Sequence, residues 1–210
     1  ALHGGMTSQD VMDSALMLSL RDVTAMLEAR LARLQEALAQ LEARFGDRPL
    51  MGRTRMQAAR PVGAGHRIAG WARPLDHHRA ELSRVTERLL RLQLGGPVGT
   101  GEGLGPHAPE IGAHMARALG LEAPDHAWHT DRAALVACGA WAAGLSGHLG
   151  KIGHDVALMA QQGVDEIRLS GGGASSSMAH KRNPVRAEAL MTLARASAVQ
   201  VAALHLALGH

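Results

Sequence analysis

The chain has 210 residues, of which 46% are hydrophobic, but its only aromatic residues are three Trp and one Phe. The net charge is only +3 and basic residues are scattered, which excludes the basic, aromatic-rich surface typical of nucleic-acid binding. One cysteine excludes a disulfide framework and a cysteine-based zinc cluster, and we find no signal peptide and no apolar run of membrane-spanning length. We therefore expect a cytoplasmic protein that binds neither nucleic acid nor membrane.

The spacing of apolar residues predicts six helices. In the first, residues 10–44 contain no Gly or Pro, apolar residues recur every three or four positions from Leu16 to Phe45, and Thr7 or Ser8 is the N-cap. The other five are predicted at residues 62–71, 76–94, 109–119, 131–162 and 186–208. A core rich in Leu, Ala, Val and Met favours helix packing, and no strand alternation is found. The predicted fold class is all-α, a bundle of long helices.

Two stretches are rich in glycine. Five glycines between Gly139 and Gly153 lie within the fifth predicted helix. Because each costs about 1 kcal/mol of helix propensity relative to Ala, they indicate tight contact with neighbouring helices. The stretch 95–105 follows a helix rather than a strand and lacks the Gly-Lys-Ser/Thr ending of a P-loop, so we do not expect a nucleotide site there. The polar segment 52–61 is predicted to be a turn between helices.

The segment Ser170–Pro184 contains three glycines and three serines and is predicted to be a loop. Asn183 is its expected helix N-cap, with Pro184 at the first helical position. From composition alone, a flexible serine-rich linker is an alternative. However, Ser175, Lys181 and Asn183 offer a hydroxyl, a fixed cation and an amide, a combination that suits a site for a carboxylate substrate.

Residues 174–183 read Ala-Ser-Ser-Ser-Met-Ala-His-Lys-Arg-Asn and resemble the signature loop of the fumarase/aspartase superfamily, Gly-Ser-Ser-x-Met-Pro-x-Lys-x-Asn. Ala174 and Ala179 depart from that pattern, which affects the loop backbone more than its chemistry. Residues 3–13 resemble the first conserved region of the superfamily, residues 52–61 resemble the second, and residues 95–101 resemble its glycine loop. Three further segments specifically resemble the carboxymuconate cycloisomerase branch of the superfamily, namely residues 66–71, 128–130 and 150–152.

The resemblance implies an enzyme that needs no cofactor and lactonises 3-carboxy-cis,cis-muconate by proton transfer beside a carboxylate, in aromatic-acid degradation. Arg55 stands where fumarases and adenylosuccinate lyases have a histidine, which argues against those two activities. The alternatives are an adenylosuccinate lyase-like or other β-elimination lyase, a cycloisomerase of a sulfo-substituted muconate, and an inactive helical scaffold.

The resemblance also implies the site residues. Ser175 is the expected acid or base, and His129 the expected proton carrier, since the ordinary pKa of histidine lies near neutral pH. The residues expected to bind the carboxylates of a polycarboxylate substrate are Thr7, Ser8, Thr54, Gln57, Lys181 and Asn183. As alternatives, His129 closes a loop beside Trp128, and Thr7 or Ser8 is only a helix cap. A metal site is not expected, because no His-Glu-x-x-His pattern is present.

The resemblance further implies that residues 1–210 form the central helical domain of a larger polypeptide, without the smaller N-terminal and C-terminal domains of the superfamily. It implies a homotetramer with shared active sites, in which the regions of Thr7, Thr54 and Ser175 meet only across subunits. Apolar residues on more than one face of the long helices agree with such an assembly.

Overall fold

The computed structural model describes residues 3–170, 173, 174, 178 and 181–209. Most of them lie in the helices α1 Ser8–Phe45, α2 Ala64–Leu89, α3 Ala108–Leu119, α4 Ala133–Met159 and α5 Val185–Leu206. The strands are β1 Pro49–Thr54, β2 Gln57–Gly63, β3 Gly173–Ala174 and β4 Arg182–Asn183, and short 3₁₀ turns cover Glu102–His107 and Ala207–Gly209. The all-α fold class predicted from the sequence is confirmed.

The chain forms two compact units, each with its own buried residues. The first unit comprises Ala1–Arg30, Ala80–Gly139 and Leu204–His210, and the second comprises Leu31–Arg79 and Ala140–Ala203. The core of the first unit is built from Met17, Leu89, Leu92, Ala116, Leu121 and Trp128. In the second unit, the buried side chains include Ile68, Trp71, Leu75, Trp141 and Leu145.

Helix α1 begins where the sequence predicts. Ser8 is its first residue, and the backbone N–H of Thr7 donates to Asp10 Oδ2 over 3.0 Å, which is the returning half of a capping box. The inward face differs from the expected one, because the buried residues recur every seven positions, at Asp10, Met17, Thr24, Leu31 and Leu38. Of the predicted apolar stripe, Leu31 and Leu38 are buried, whereas Leu16, Val23 and Leu41 are exposed.

The segment predicted to be a polar turn is a β-hairpin, so the prediction that the chain has no strands is wrong. Strand β1 pairs antiparallel with β2, and Thr54 lies opposite Gln57. The two residues between them, Arg55 and Met56, have φ angles of 49° and 65°. A two-residue turn with two positive φ angles is type I′ and usually holds Asn-Gly. Arg-Met is not a turn signal, which explains why the hairpin was missed.

Helix α2 is one helix where the sequence predicts two. Pro74 lies inside it, although proline ordinarily ends or kinks a helix. The carbonyl that loses its helical donor belongs to Gly70, which is exposed and therefore open to water. The helix also ends earlier than predicted, at Leu89, because Leu92 and Leu90 pair with Glu122 through backbone hydrogen bonds of 2.8 and 2.9 Å.

The later helices agree with the prediction to within a few residues. The predicted helices 109–119, 131–162 and 186–208 correspond to α3, α4 and α5. The expected cap of α5 is wrong, since Asn183 lies in strand β4 and the helix begins at Val185. Pro184 takes the capping position, because its carbonyl accepts the first helical hydrogen bond from the N–H of Glu188, over 2.9 Å.

Several glycines of α4 are points of tight contact, as predicted. A Cβ atom at Gly150 would lie 2.5 Å from the Cβ of Ala194, and one at Gly153 would lie 2.7 Å from the carbonyl oxygen of Ala187. Both partners belong to α5, so these two glycines allow the helices to approach closely. Gly147 differs, because a Cβ there would meet no atom within 4 Å.

Two helical stretches, Ala133–Met159 and Val185–Gly209, are long and apolar enough to cross a membrane by length and composition. The expectation that no stretch reaches that length is therefore wrong. Core helices of soluble proteins have the same length and composition, so this finding does not assign either helix to a membrane. In this chain, α5 is largely uncovered: Leu193, Val199 and Leu206 are 61%, 71% and 74% exposed.

Candidate active site

Asp10 is the centre of a polar cluster in the first unit. Its side chain is fully buried, and its Oδ1 accepts a hydrogen bond from the backbone N–H of Gly95 over 3.0 Å. Its Oδ2 accepts from the N–H groups of Gly96 and Thr7, over 2.9 and 3.0 Å. The ring nitrogen Nε2 of His129 lies 2.8 Å from Oδ1. A buried carboxylate requires such partners, because burial without them costs several kcal/mol.

Glycines bring the segment 3–13 against the glycine-rich loop of residues 95–105. Gly5 has a φ of +76°, and a Cβ there would lie 2.3 Å from the carbonyl oxygen of Gly103. Gly96 has a φ of +71°, and its Cβ would lie 2.7 Å from the oxygen of Gly5. No other residue type permits these approaches. Two N–H groups of the loop are used by Asp10, so the loop supports the protein's own carboxylate.

Trp128, the residue before His129, is held in place by two hydrogen bonds. The Trp128 indole Nε1–H donates to the carbonyl of Leu92 over 2.9 Å, and its backbone N–H donates to Gln93 Oε1 over 2.9 Å. The guanidinium of Arg132 lies 5.4 Å from the centre of the Trp128 ring and donates to Asp13 Oδ1 over 2.9 Å. The position of His129 is therefore fixed by its neighbours in the chain as well as by its own contact.

Three of the predicted site residues thus lie together in the first unit. Thr7 and His129 contact the same carboxylate, and the exposed Ser8 follows Thr7 at the start of α1. The side chain of His129 is 19% exposed, so one edge of the ring remains accessible. Asp10 was not predicted to be a member of this cluster. The capping-box spacing from Thr7 to Asp10 was the available signal.

Thr54 and Gln57 lie in the second unit, on either side of the hairpin turn, and both are exposed. Next to them, Arg53 Nη1 lies 2.5 Å from Glu166 Oε1, and the Glu166 side chain is only 10% exposed. This ion pair joins the hairpin to the segment that precedes the signature loop. It was not predicted, because the two residues are 113 positions apart.

The signature loop is described only in part, and Ser175 lies outside the described residues. Strands β3 and β4 pair the two flanks of the loop, with Gly173 opposite Asn183. Lys181 is exposed, and Asn183 is half-buried in β4. A Cβ at Gly173 would lie 2.8 Å from Val185 Cγ2, so this glycine allows strand β3 to pack against the first turn of α5.

The segments 66–71 and 150–152, which resemble the carboxymuconate cycloisomerase branch, meet at Asp155. Trp71 Nε1–H donates to Asp155 Oδ2 over 2.7 Å, Lys151 Nζ contacts the same oxygen, and Arg67 Nη1 lies 3.8 Å away. Burial alone would raise the pKa of Asp155. The hydrogen bonds from Lys151 and Trp71 and the positive charges of Lys151 and Arg67 outweigh burial and hold this pKa below its ordinary value.

A histidine pair lies between α2 and α4. The rings of His78 and His148 are 6.0 Å apart, and His148 Nε2 donates to the carbonyl of Trp71 over 3.0 Å. Burial lowers the pKa of His78, and the nearby His148 and His77 lower it further. Among the described residues, no group of three or more His, Cys, Asp or Glu side chains is arranged to hold a metal ion.

These features define a helical domain with a buried carboxylate–histidine pair at the start of its longest helix. A family described as lyase matches residues 1–201, and the chain belongs to this lyase family of the fumarase/aspartase superfamily. The chain is 44% identical over 196 residues to a 3-carboxy-cis,cis-muconate cycloisomerase of Pseudomonas aeruginosa, in an alignment that covers 92% of the chain and 43% of that relative.

Relatives with another activity are also found. A nitrosuccinate lyase of Streptomyces davaonensis is 36% identical over 211 residues, which cover 95% of the chain and 44% of that relative.

The solved structure of the 3-carboxy-cis,cis-muconate lactonizing enzyme from Pseudomonas putida matches with a TM-score of 0.88 at 38% identity, over 95% of this chain and 44% of that one. The chain therefore spans less than half the length of these relatives.

Proposed function

We propose that this protein lactonises 3-carboxy-cis,cis-muconate to a carboxymuconolactone without a cofactor. The observation that carries the proposal is the contact between His129 and Asp10. His129 belongs to the segment 128–130, which resembles the carboxymuconate cycloisomerase branch, and Asp10 belongs to the segment 3–13, which resembles the first conserved region. The 44% identity to a relative named for this activity supports the same substrate class.

The reaction needs one proton. A carboxylate oxygen of the substrate adds to a carbon–carbon double bond, so a C–O bond forms and the π bond breaks. The electron pair moves to the carbon beside another carboxylate, which shares the developing charge. Protonation of that carbon gives the lactone. Because one carboxylate becomes an ester, each turnover takes up one proton from solution.

The proposed roles follow from this charge development. His129 carries the proton, and Ser175 acts as acid or base at the reacting carbon. Lys181 supplies a cation and Asn183 a neutral donor to a substrate carboxylate. Neutral hydrogen bonds to the remaining carboxylate oxygens come from Thr7, Ser8, Thr54 and Gln57.

A β-elimination lyase is the second candidate, and the nitrosuccinate lyase relative favours it. The two reactions share the carbanion beside a carboxylate and differ in whether the bond at the next carbon forms or breaks. A sulfo-substituted muconate would require the same step. The same proton carrier and carboxylate-binding residues serve all three substrates, so the assay must compare them.

We also propose that residues 1–210 are the central domain of a longer polypeptide that assembles as a homotetramer with shared active sites. The apolar residues left uncovered on two helices support an assembly. On α1, Met12, Val23 and Met26 are 64%, 41% and 42% exposed. On α5, Leu193 and Val199 are exposed as well, and apolar side chains exposed on long helices are typical of surfaces that an assembly covers. Light scattering at micromolar concentration tests the assembly, and a stable, active monomer contradicts it.

The test of activity is a direct assay of the purified protein. Carboxymuconate absorbs in the ultraviolet, and lactonisation removes the conjugated double bonds that absorb. We expect loss of absorbance together with uptake of one proton for each molecule consumed. Parallel assays with sulfomuconate, adenylosuccinate and nitrosuccinate identify the alternatives. Turnover of an elimination substrate without turnover of carboxymuconate would replace the proposal with the lyase reading.

A further inference from the structure

The contacts of Asp10 determine which nitrogen of His129 carries hydrogen. Three backbone N–H groups already donate to the two oxygens of this carboxylate. The carboxylate accepts hydrogen bonds and has none to give, so the 2.8 Å contact with His129 Nε2 requires the ring to donate. In a neutral imidazole only one nitrogen bears hydrogen, which leaves the lone pair on Nδ1.

The Nδ1 edge of His129 faces the glycine-rich loop. A Cβ at Gly99 would lie 3.8 Å from Nδ1, and one at Gly95 would lie 3.3 Å from Cε1. Gly99 has a φ of +79°, which by itself favours glycine, whereas Gly95 has no such requirement and is instead explained by close approach to Ala127 and the ring. Within the described residues, Nδ1 has no hydrogen-bond partner. No described residue therefore uses the lone pair of Nδ1.

We propose that Asp10 is a positioning residue that keeps the ring hydrogen of His129 on Nε2, so that Nδ1 is the nitrogen that takes up a proton from solution and delivers it. The inference rests on the proposed function, in which His129 carries the proton. In the lactonising direction the Nδ1–H bond of the protonated ring breaks and its electron pair stays on nitrogen, which leaves the neutral Nε2–H tautomer. The proton passes on to the acid proposed at the reacting carbon, where a C–H bond forms beside the carboxylate. The one proton that each turnover takes up from solution then restores the Nδ1–H bond.

Replacement of Asp10 by asparagine tests the tautomer. Two backbone donors converge on Oδ2 and one on Oδ1, so the amide oxygen of Asp10→Asn takes the position of Oδ2. The amide nitrogen takes the position of Oδ1, with loss of the hydrogen bond from the Gly95 N–H. The amide then donates to Nε2 and shifts the ring hydrogen to Nδ1. Nitrogen-15 NMR of the histidine rings reads this directly, with the His129 signals assigned from their loss in His129→Gln. We expect the Nε2–H tautomer in the wild type and the Nδ1–H tautomer in Asp10→Asn.

The kinetic expectation is a fall in kcat of about 10²- to 10⁴-fold for Asp10→Asn, with KM unchanged, because the loss affects proton transfer rather than binding. His129→Gln should show a similar loss. The amide nitrogen of the substituted side chain still donates to Asp10, but this side chain has no atom that could replace Nδ1 as a proton carrier. Both variants are expected to remain folded.

Ser14→Ala is the matched control for a structural role. Ser14 lies one helical turn after Asp10, and its hydroxyl bonds both the N–H and the carbonyl of Gln93 over 3.1 Å, so it joins the same helix to the same segment. We expect Ser14→Ala to lower the stability of the protein, while the tautomer of the His129 ring and the kcat match those of the wild type.

The inference is overturned if Asp10→Asn keeps the Nε2–H tautomer, if its kcat equals that of the wild type, or if Ser14→Ala loses kcat to the same extent. The tautomer is measured without substrate. A wild type that does not turn over carboxymuconate therefore contradicts the proposed function, while the NMR comparison still decides whether Asp10 sets the tautomer.

Discussion

The indole Nε1–H of Trp71 donates a hydrogen bond to Asp155 Oδ2 over 2.7 Å, inside the second unit. The same oxygen contacts Lys151, and the Asp155 side chain is only 13% exposed. An ionised carboxylate that is buried with these partners stabilises the fold only while its partners and its charge are present.

Asp155→Asn should therefore destabilise the protein by about 2 kcal/mol at neutral pH, the range of a lost hydrogen bond to a charged group. The effect should depend on pH. Because the folded-state pKa of Asp155 lies below the ordinary value of 3.8, its contribution is fully present above that pH and is lost as the pH falls through the folded value. Urea denaturation at several pH values measures both the loss of stability and its dependence on pH.

Asp125→Asn is the control for this prediction. Asp125 is exposed, and the lowered pKa of its carboxyl arises first from its hydrogen bond to His126. We expect its urea midpoint at neutral pH to equal that of the wild type. Equal midpoints for Asp155→Asn and the wild type would show that the Trp71–Asp155–Lys151 cluster contributes nothing to stability.

His78 predicts an acid-sensitive packing of α2 on α4. Its folded-state pKa is lower than the ordinary value of 6.5, so the unfolded chain binds the proton first as the pH falls. Stability should therefore be constant above pH 6.5 and decrease below it, until the pH reaches the folded value. His78→Gln should flatten this part of the profile, because it removes the titrating ring. The hydrogen bond from Trp141 remains in this variant, because it reaches the backbone carbonyl of residue 78. An unchanged slope would rule out His78 as its cause.

Gly150→Ala should destabilise the protein by about 1–3 kcal/mol, as for overpacking of a tight contact. The added methyl group would lie 2.5 Å from the Cβ of Ala194, so α4 and α5 must separate. Gly147→Ala is the matched control in the same helix, since no atom lies within 4 Å of its added Cβ. It should stabilise by about 0.5–1 kcal/mol, through helix propensity alone. Thermal unfolding of both variants measures the difference, and the same sign for both would contradict the close contact of α4 with α5.

The long helices were predictable because their evidence is local, whereas much of the site was not. Uninterrupted apolar spacing identified α1, and its capping residues identified its start. The hairpin was missed because Arg55 and Met56 adopt positive φ angles that neither residue favours. Helix α2 was divided because Pro74 ordinarily ends a helix.

Asp10 was not recognised as a site residue for a different reason. The residues that give it a role, Gly95 and His129, are 85 and 119 positions away in the chain. Its own neighbours indicate a helix start, and the resemblance of residues 3–13 to the first conserved region gives Asp10 no partner. The motif resemblance identified His129 but carried no information about which atom holds its ring, because that depends on tertiary contacts.

Ser175→Ala should abolish turnover and leave the fold intact, because Ser175 is the proposed acid or base of the signature loop. Circular dichroism and the urea midpoint should match those of the wild type. Ser176→Ala is the control, since it removes a neighbouring hydroxyl from the same loop. If Ser175→Ala retained activity and Ser176→Ala lost it, the role would pass to Ser176.

The most direct measurement of the central claim is the stoichiometry of protons and substrate in one reaction. The purified protein is mixed with 3-carboxy-cis,cis-muconate in weak buffer, and ultraviolet absorbance and pH are recorded together, with His129→Gln as the inactive reference. The account predicts that absorbance falls and that one proton is taken up per molecule consumed, by the wild type alone. Unchanged absorbance with the wild type, or equal rates for the wild type and His129→Gln, would contradict it.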